Sequence, residues 1–505
     1  MAPPAPGGPS LGDRAARGIV WTFMQGGTLK LINLVAQFAL AWLLNIEDFG
    51  YVSMAAAVAA FVSLVTQAGL KELLIRRWRQ FDELATSAFW LSVVLGLVST
   101  AMMLTLAPLA GIFFHDHRVV NLVRILACQN LFLSLAIVAD ARAQIDLRFR
   151  FVAVLDFASS LVLTTMTVFF ALLGMGAYAF VLPWPIMAIF RCAMLWAKTG
   201  QRVKLRFSAA RWLDLLADNA LLLTAALCAM ITNQCDYVIL GRMYDKIVVG
   251  RYFWAFGLST QAMQLLSLNV AYVLLPSLAK IQDEPQRMRQ GFVRAMSVLV
   301  LLGVPACVLQ AVLAEPLIHV AFRAQYYSAV PLVQILSFGW APFVAYSSAG
   351  MMLKAQGKFA LNLKLSIFAV LVFLPSVYLG ARVAAASGAA LGVGVYCLIV
   401  GPAAVYVAMR PLGGTARDVA KMFLSPMACG AISAVAGWWV VNAIPHQQGR
   451  DWPGNLLRGA AATATVAAVY LPLARLTAAE AWAETGARAW RLLGRHPRRA
   501  SAAAA

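Results

Sequence analysis

The stretch LAWLLNIEDFG, residues 40–50, interrupts a run of apolar residues with an amide side chain and two acids. A second stretch, LGRMYDKIVVG, interrupts another apolar run 200 positions later, at residues 240–250, with the charged residues Arg242, Asp245 and Lys246. Short connections between helices need polar turn residues and glycine, so both stretches are predicted to be equivalent turns. The offset pairs Leu40 with Leu240, Ala41 with Gly241, Asn45 with Asp245, Gly50 with Gly250 and, further out, Asn33 with Asn233.

The residues around both turns are those of a membrane protein. Of the 505 residues, 62% are hydrophobic and 12% are charged, and the mean hydropathy is +0.76. Apolar runs recur that are long enough to cross ~30 Å of hydrocarbon, which takes about 20 residues. The sequence therefore predicts an all-α polytopic membrane protein. Its predicted spans are 19–44, 49–70, 85–107, 118–140, 151–174, 176–197, 213–240, 248–275, 291–314, 327–353, 360–380, 386–408, 419–443 and 455–476, about fourteen helices in all.

The repeat divides these spans into two six-helix halves around a central cavity, followed by two further helices. NLVRIL (121–126) matches PLVQIL (331–336) at an offset of 210, so the order of matches is kept along the chain. Six spans per half give both halves the same orientation, with the substrate held between them. The predicted segments are a cytoplasmic N-terminal arm (1–18), a first six-helix half (19–198), a cytoplasmic linker (199–212), a second six-helix half (213–408), two additional helices (409–476) and a basic cytoplasmic tail (477–505).

The positive charge is a topology signal. The formal net charge is +20, and Lys and Arg concentrate in every second loop and in the tail. This alternation places both termini in the cytoplasm by the positive-inside rule. We therefore expect contacts with anionic membrane lipids and no nucleic-acid partner. No Walker phosphate loop or metal-ligand pattern is present, so no ATP hydrolysis, cofactor or metal site is predicted.

Three stretches resemble one bacterial family. LAWLLNIEDFGYVSMAAAVAAFVSLVTQAGLKELLIRR (40–77) resembles the N-terminal signature of the polysaccharide flippases, which export O-antigen and exopolysaccharide repeat units. DYVILGRM with GRYFWA (236–255) resembles the signature of the seventh and eighth helices in that family, and LLPSLAKIQDEPQRMRQGFVRAM (274–296) resembles its next cytoplasmic loop. Multidrug-and-toxin extruders and peptidoglycan-precursor flippases belong to the same superfamily.

The resemblance implies a non-enzymatic transporter in the bacterial inner membrane. Its substrate would be a polyprenyl-pyrophosphate-linked oligosaccharide, destined for lipopolysaccharide or exopolysaccharide and flipped to the periplasmic leaflet by alternating access. A polysaccharide polymerase and export machinery would be its neighbours. Three alternatives stay open: a multidrug exporter of the same superfamily, a lipid-carrier-dependent membrane glycosyltransferase or polymerase, and a scramblase or scaffold without coupled transport.

Lys30 is the first candidate for substrate binding. It lies near the middle of the first predicted span, where an ionised side chain is costly. Asn33 and Gln37 share its helical face at 100° per residue. This stripe of a cation and two amides suits pyrophosphate or sugar hydroxyls, whereas the structural alternative is a lysine paired with a nearby carboxylate.

Further polar residues lie inside other predicted spans. Arg124 and Arg191 are candidates for the cavity, although both are close enough to a helix end to snorkel to the interface. Asp236 is the ion-coupling candidate, and its structural alternative is a helix-end pair with Arg242. The remaining substrate-binding candidates are amides that either contact sugar or hold helices together: Asn233, Gln261 and Gln264.

Overall fold

A computed structural model describes residues 35–67, 69–146, 148–200, 220–264, 284–445 and 452–477, together with residues 32, 212 and 267. Most of the first predicted span, including Lys30 and Asn33, lies outside the described residues. So do most of the linker, residues 274–283 of the loop at 274–296, and residues 478–505 of the basic tail.

The described residues form helices and no strand. Eleven stretches among them are long and apolar enough to cross a membrane, which confirms a multi-pass helical membrane protein. The helices are α1 (35–43), α2 (Ile46–Gln67), α3 (Leu70–Arg76), α4 (Phe81–Phe113), α5 (Arg118–Ile145), α6 (Phe149–Leu172), α7 (Tyr178–Val181), α8 (Pro183–Thr199), α9 (Ala220–Met243), α10 (Lys246–Ser259), α11 (Pro285–Ala321), α12 (Val330–Trp340), α13 (Tyr346–Ala355), α14 (Phe359–Met409), α15 (Ala416–Ala443) and α16 (Trp452–Thr477).

Helix α14 contains two predicted spans. Its backbone leaves the helical region at Ala384 and Ala385, between the spans predicted at 360–380 and 386–408. The two arms pack closely beside this break, because β-carbons on Gly380 and Gly388 would each collide with the carbonyl oxygen of the other. The long stretch Phe359–Leu412 is therefore a hairpin of two spanning helices.

The described residues divide into two compact units, one ending at Phe253 and one beginning at Trp254. This boundary falls inside α10, so α9 and the start of α10 pack with the first unit. The division follows packing, whereas the predicted halves follow sequence equivalence. The six-helix halves and their boundaries therefore stay a prediction.

Apolar residues, many of them alanine and leucine, build the core of the first unit. One cluster joins α3, α4 and α5 through buried side chains that include Leu73, Phe81 and Ala141. A second cluster joins α5, α6 and α8 and includes Ala139, Leu155 and Leu195. Alanine at these contacts lets the backbones approach, which favours helix association in a membrane.

The two helices after the second predicted half pack within the second unit. Arg458 of α16 is 1% exposed. Its guanidinium donates to the carbonyl of Val441 on α15 at 2.9 Å, to Asn455 at 3.0 Å and to Glu315 of α11 at 2.8 Å. Tyr470 of α16 donates to the carbonyl of Leu301 on α11 at 2.9 Å. These bonds join α15 and α16 to α11.

Candidate substrate and ion sites

The two equivalent turns begin helices that cross each other. A β-carbon on Gly50 of α2 would collide with the carbonyl oxygen of Lys246, and one on Gly250 of α10 would collide with the carbonyl oxygen of Ile46. Because Ile46 and Lys246 are themselves 200 positions apart, the contact is reciprocal, as in a two-fold interface. Only glycine permits this approach of the two backbones.

Acidic side chains of both turns accept hydrogen bonds from backbone N–H groups at the N-termini of α2 and α10. The Asn45 N–H donates to Asp48 Oδ2 at 3.0 Å, and the Val248 N–H donates to Asp245 Oδ1 at 2.9 Å. Side-chain oxygens at such positions bind the first backbone N–H groups of a helix, which lack partners in the helix itself. The acids therefore have the structural role expected of turn residues.

Lys246 joins the second turn to the first. Its Nζ donates to Tyr51 Oη at 2.7 Å and lies 3.2 Å from Glu47. Tyr51 in turn donates to Asp116 Oδ2 at 2.8 Å. The positive charge is thus bound by a carboxylate and a phenol of α2, which fixes α10 to α2 beside the glycine crossing.

Asp236 is a buried carboxylate of α9, 1% exposed. Tyr252 Oη donates to its Oδ2 at 3.0 Å, and the N–H of Tyr237 donates to its Oδ1 at 2.9 Å. Arg242 does not pair with it, contrary to the structural alternative from the sequence, because that guanidinium lies over the ring of Phe113. Within the described part of the chain no cation pairs with Asp236.

Arg191 of α8 is held by two acids. It donates to Asp156 of α6 at 2.5 Å and to Asp140 of α5 at 3.3 Å, while Lys71 of α3 donates to the same Asp140 oxygen at 2.9 Å. The four side chains form one ion network across α3, α5, α6 and α8.

Arg124 has a different environment. It lies on α5 in an exposed row with Asn121 and Cys128, one helical turn apart. Among the described residues its guanidinium forms no ion pair. Arg124 and Arg191 thus differ: Arg124 carries an exposed charge, whereas Arg191 is neutralised by neighbouring acids.

Two of the amide candidates hydrogen-bond to backbone carbonyls close to them in the chain. Asn233 donates to the carbonyl of Ala229 at 2.6 Å, and Gln261 donates to that of Gly257 at 2.9 Å, each within its own stretch of helix. Gln37 is half-buried on α1, and Gln264 is exposed. Whether any of them contacts substrate stays a prediction.

Gln310 of α11 hydrogen-bonds to the backbone at a break in the eighth predicted span. It was not among the residues predicted to have a function. α10 ends at Ser259 and a turn follows at Thr260. Gln310 donates to the carbonyl of Leu258 at 2.5 Å and accepts from the N–H of Ala262 at 3.2 Å. Backbone groups freed inside a membrane need such partners. The feature of the sequence that could have indicated this role is a glutamine inside a long apolar helix.

Comparison with known proteins places this arrangement in a family. Residues 39–331, which include both turns, Asp236 and the ion network, match the family described as polysaccharide biosynthesis protein. The chain belongs to the polysaccharide biosynthesis protein family. Similar proteins include the lipopolysaccharide biosynthesis protein WzxC of Escherichia coli (strain K12), 22% identical over 80% of this chain and 83% of that protein. Another is the succinoglycan biosynthesis transport protein ExoT of Rhizobium meliloti (strain 1021), 25% identical over 64% of this chain and 65% of that protein.

Solved structures share the fold of this family member. The lipid II flippase MurJ in an inward closed conformation superposes with a TM-score of 0.69 at 13% identity, covering 89% of this chain and 98% of that one. An inward-facing multidrug resistance MATE transporter superposes with a TM-score of 0.60 at 13% identity, covering 76% and 94%. The chain therefore shares its fold with these two membrane proteins.

Proposed function

We propose that the protein flips a polyprenyl-pyrophosphate-linked oligosaccharide from the cytoplasmic to the periplasmic leaflet of the bacterial inner membrane by alternating access. Membership of the polysaccharide biosynthesis protein family supports this, as do relatives named for lipopolysaccharide, succinoglycan and teichuronic acid biosynthesis. In this proposal the protein is a transporter, both termini are cytoplasmic, and a polysaccharide polymerase acts on the delivered repeat unit.

The exposure of Arg124 is the observation that supports an anionic, hydrophilic substrate. An ionised guanidinium is costly in hydrocarbon, and Arg124 is exposed without a carboxylate partner in the described part of the chain. It therefore needs water, a lipid headgroup at the interface or a ligand anion. A pyrophosphate or acidic sugar supplies that anion, and Asn121 on the same row supplies hydrogen bonds to the glycan.

The other polar candidates would complete the path. Lys30, Asn33 and Gln37 would present their stripe to the same cargo. Arg191 would meet a phosphate only by exchanging Asp140 or Asp156 for it, so its role would depend on the transport step. The remaining amides would bind sugar hydroxyls: Asn233, Gln261 and Gln264.

Asp236 is the proposed ion-coupling group. A buried carboxylate without a cation partner in the described residues is poised to take up H⁺ or Na⁺, because intramembrane acids are costly and usually functional. Its two hydrogen-bond donors, Tyr252 and the Tyr237 N–H, hold it in place beside the α2–α10 crossing. Ion binding there would be coupled to the packing of α9 against α10.

The test is complementation of a strain that lacks the protein, scored by surface polysaccharide at matched protein abundance. Arg124→Gln and Lys30→Ala should abolish export, whereas Arg124→Lys should retain part of it. Cys128→Ala is the matched control, since it alters the same exposed row without removing a charge. Full export by both charge-removing variants would exclude a cationic cargo path, and drug efflux without polysaccharide export would favour the multidrug alternative.

A further inference from the structure

A cavity of about 460 Å³ lies beside the glycine crossing in the first unit. Its lining comes from α2, from the turn between α4 and α5, and from residues 241–246 at the end of α9 and the following turn. In the predicted topology both turns face the periplasm. Its volume is within the ~300–1,000 Å³ typical of small-molecule sites.

Two of the charged groups around the cavity, Lys246 and Asp116, are already bound by the protein. Lys246 is held by Tyr51 and Glu47. Asp116 accepts from Tyr51 at 2.8 Å and from the N–H of Arg118 at 2.9 Å. These bonds fix the walls of the cavity and leave little capacity for a ligand.

Two donors at the cavity are differently placed. Arg242 is exposed, lies over the ring of Phe113 at 5.7 Å and has no carboxylate within ion-pair distance among the described residues. His115 is also exposed, and its backbone has φ 57°, a left-handed conformation that costs energy for a residue other than glycine. Such strain persists where the surrounding structure enforces it, often at ligand sites.

The remaining lining suits a sugar ring. Asp245 uses Oδ1 to accept the Val248 N–H, and its second oxygen has no partner among the described residues, so it can accept from a hydroxyl. Phe114 and Met54 supply an apolar wall. An arginine whose planar fork is not paired binds a carboxylate or phosphate through two parallel hydrogen bonds.

We propose that this cavity is a periplasmic subsite for an anionic saccharide, with Arg242 binding the acidic group, His115 donating a hydrogen bond and Asp245 accepting from a ring hydroxyl. The naming of a saccharide rests on the proposed function. The anion is either a sugar carboxylate or a phosphoryl group, since both present the same oxygens to the guanidinium. The site would hold cargo after its passage through the central cavity.

Calorimetric titration of the full-length protein in lipid nanodiscs tests the subsite without requiring transport. The probes are trigalacturonate, inorganic phosphate and neutral maltotriose. Arg242→Gln should weaken anion binding at least tenfold. Arg382→Gln is the matched control, because Arg382 is also an exposed arginine over an aromatic ring, 5.4 Å from that of Tyr378, and does not line this cavity. It should bind as the unaltered protein does.

Trigalacturonate binding that depends on Arg242 assigns the site to a sugar carboxylate, and phosphate binding alone that depends on Arg242 assigns it to a phosphoryl group. Should Arg242→Gln fail to fold, Arg242→Lys and His115→Gln should each weaken binding by a smaller factor. Equal affinity in Arg242→Gln and the unaltered protein, equal weakening by Arg382→Gln, preference for maltotriose, or no anion binding overturns the subsite. Anion binding that survives while leaflet transfer is absent would instead overturn the proposed function.

Discussion

Gly50 and Gly250 stand in contact, 200 residues apart in sequence, where α2 crosses α10. Gly50 lies against the carbonyl oxygen of Lys246, and Gly250 lies against that of Ile46. Equivalent positions of the internal repeat are therefore in contact with each other. The close packing of α2 against α10 at this crossing therefore contributes to the stability of the state seen here.

Alanine at the crossing should destabilise this state. Gly50→Ala and Gly250→Ala each place a β-carbon against backbone, and overpacking of this kind costs about 1–3 kcal/mol. We expect a lower melting temperature of the purified protein. Gly291→Ala on α11 is the control, because nothing lies within 4 Å of its added β-carbon. An unchanged melting temperature for Gly250→Ala would contradict the close crossing.

The ion network predicts unequal effects for its two acids. The Asp140 side chain is 11% exposed and binds both Lys71 and Arg191, so Asp140→Ala should cost about 3–5 kcal/mol by leaving two cations underpaired. The Asp156 side chain is 53% exposed, so Asp156→Ala should cost less than about 1 kcal/mol. Thermal unfolding of both variants measures the difference, and equal losses would refute the ranking.

Asp236→Asn should separate ion coupling from folding. Asparagine keeps one oxygen that accepts from Tyr252, but its amide nitrogen cannot accept from the Tyr237 N–H, so we expect a stability loss of ~1 kcal/mol together with loss of gradient-driven transport. Tyr252→Phe removes one hydrogen bond and should lower stability by ~1 kcal/mol while retaining transport. The measurement is leaflet transfer with and without H⁺ and Na⁺ gradients. Normal gradient dependence in Asp236→Asn would return this residue to a structural role.

Arg458 should be essential for the docking of α15 and α16. Arg458→Met leaves Glu315 unpaired and should cost about 3–5 kcal/mol. Adding Glu315→Gln should restore much of that loss, since the uncompensated charge is then removed. Thermal unfolding of the single and double variants tests this, with Arg382→Met as an exposed control. Equal stability of Arg458→Met and the unaltered protein would mean that other contacts hold these helices.

The sequence predicted the equivalence of the two turns but not their contact. An offset of 200 shows that Gly50 and Gly250 occupy matching places, and proximity depends on how the halves pack. The α14 hairpin was predictable because hydropathy falls between its spans. The end of α10 at Ser259 was not, since the partner of its freed backbone groups, Gln310, is remote in sequence.

Candidate residues were predictable by type and depth, and less so by partner. A charge inside a span is visible in the sequence, as for Arg124, Arg191 and Asp236. Helical periodicity does not say which neighbouring helix each charge faces. Arg191 was therefore a cavity candidate, whereas α5 and α6 supply it with Asp140 and Asp156.

The most direct test is the leaflet location of the lipid-linked glycan in cells that lack this protein. An external glycan-modifying enzyme applied to intact spheroplasts reports what has reached the outer leaflet. We predict that polyprenyl-pyrophosphate oligosaccharide is trapped on the cytoplasmic side and that restoring the gene releases it. Glycan that reaches the outer leaflet at the normal rate, in cells without a related transporter, would contradict a flippase.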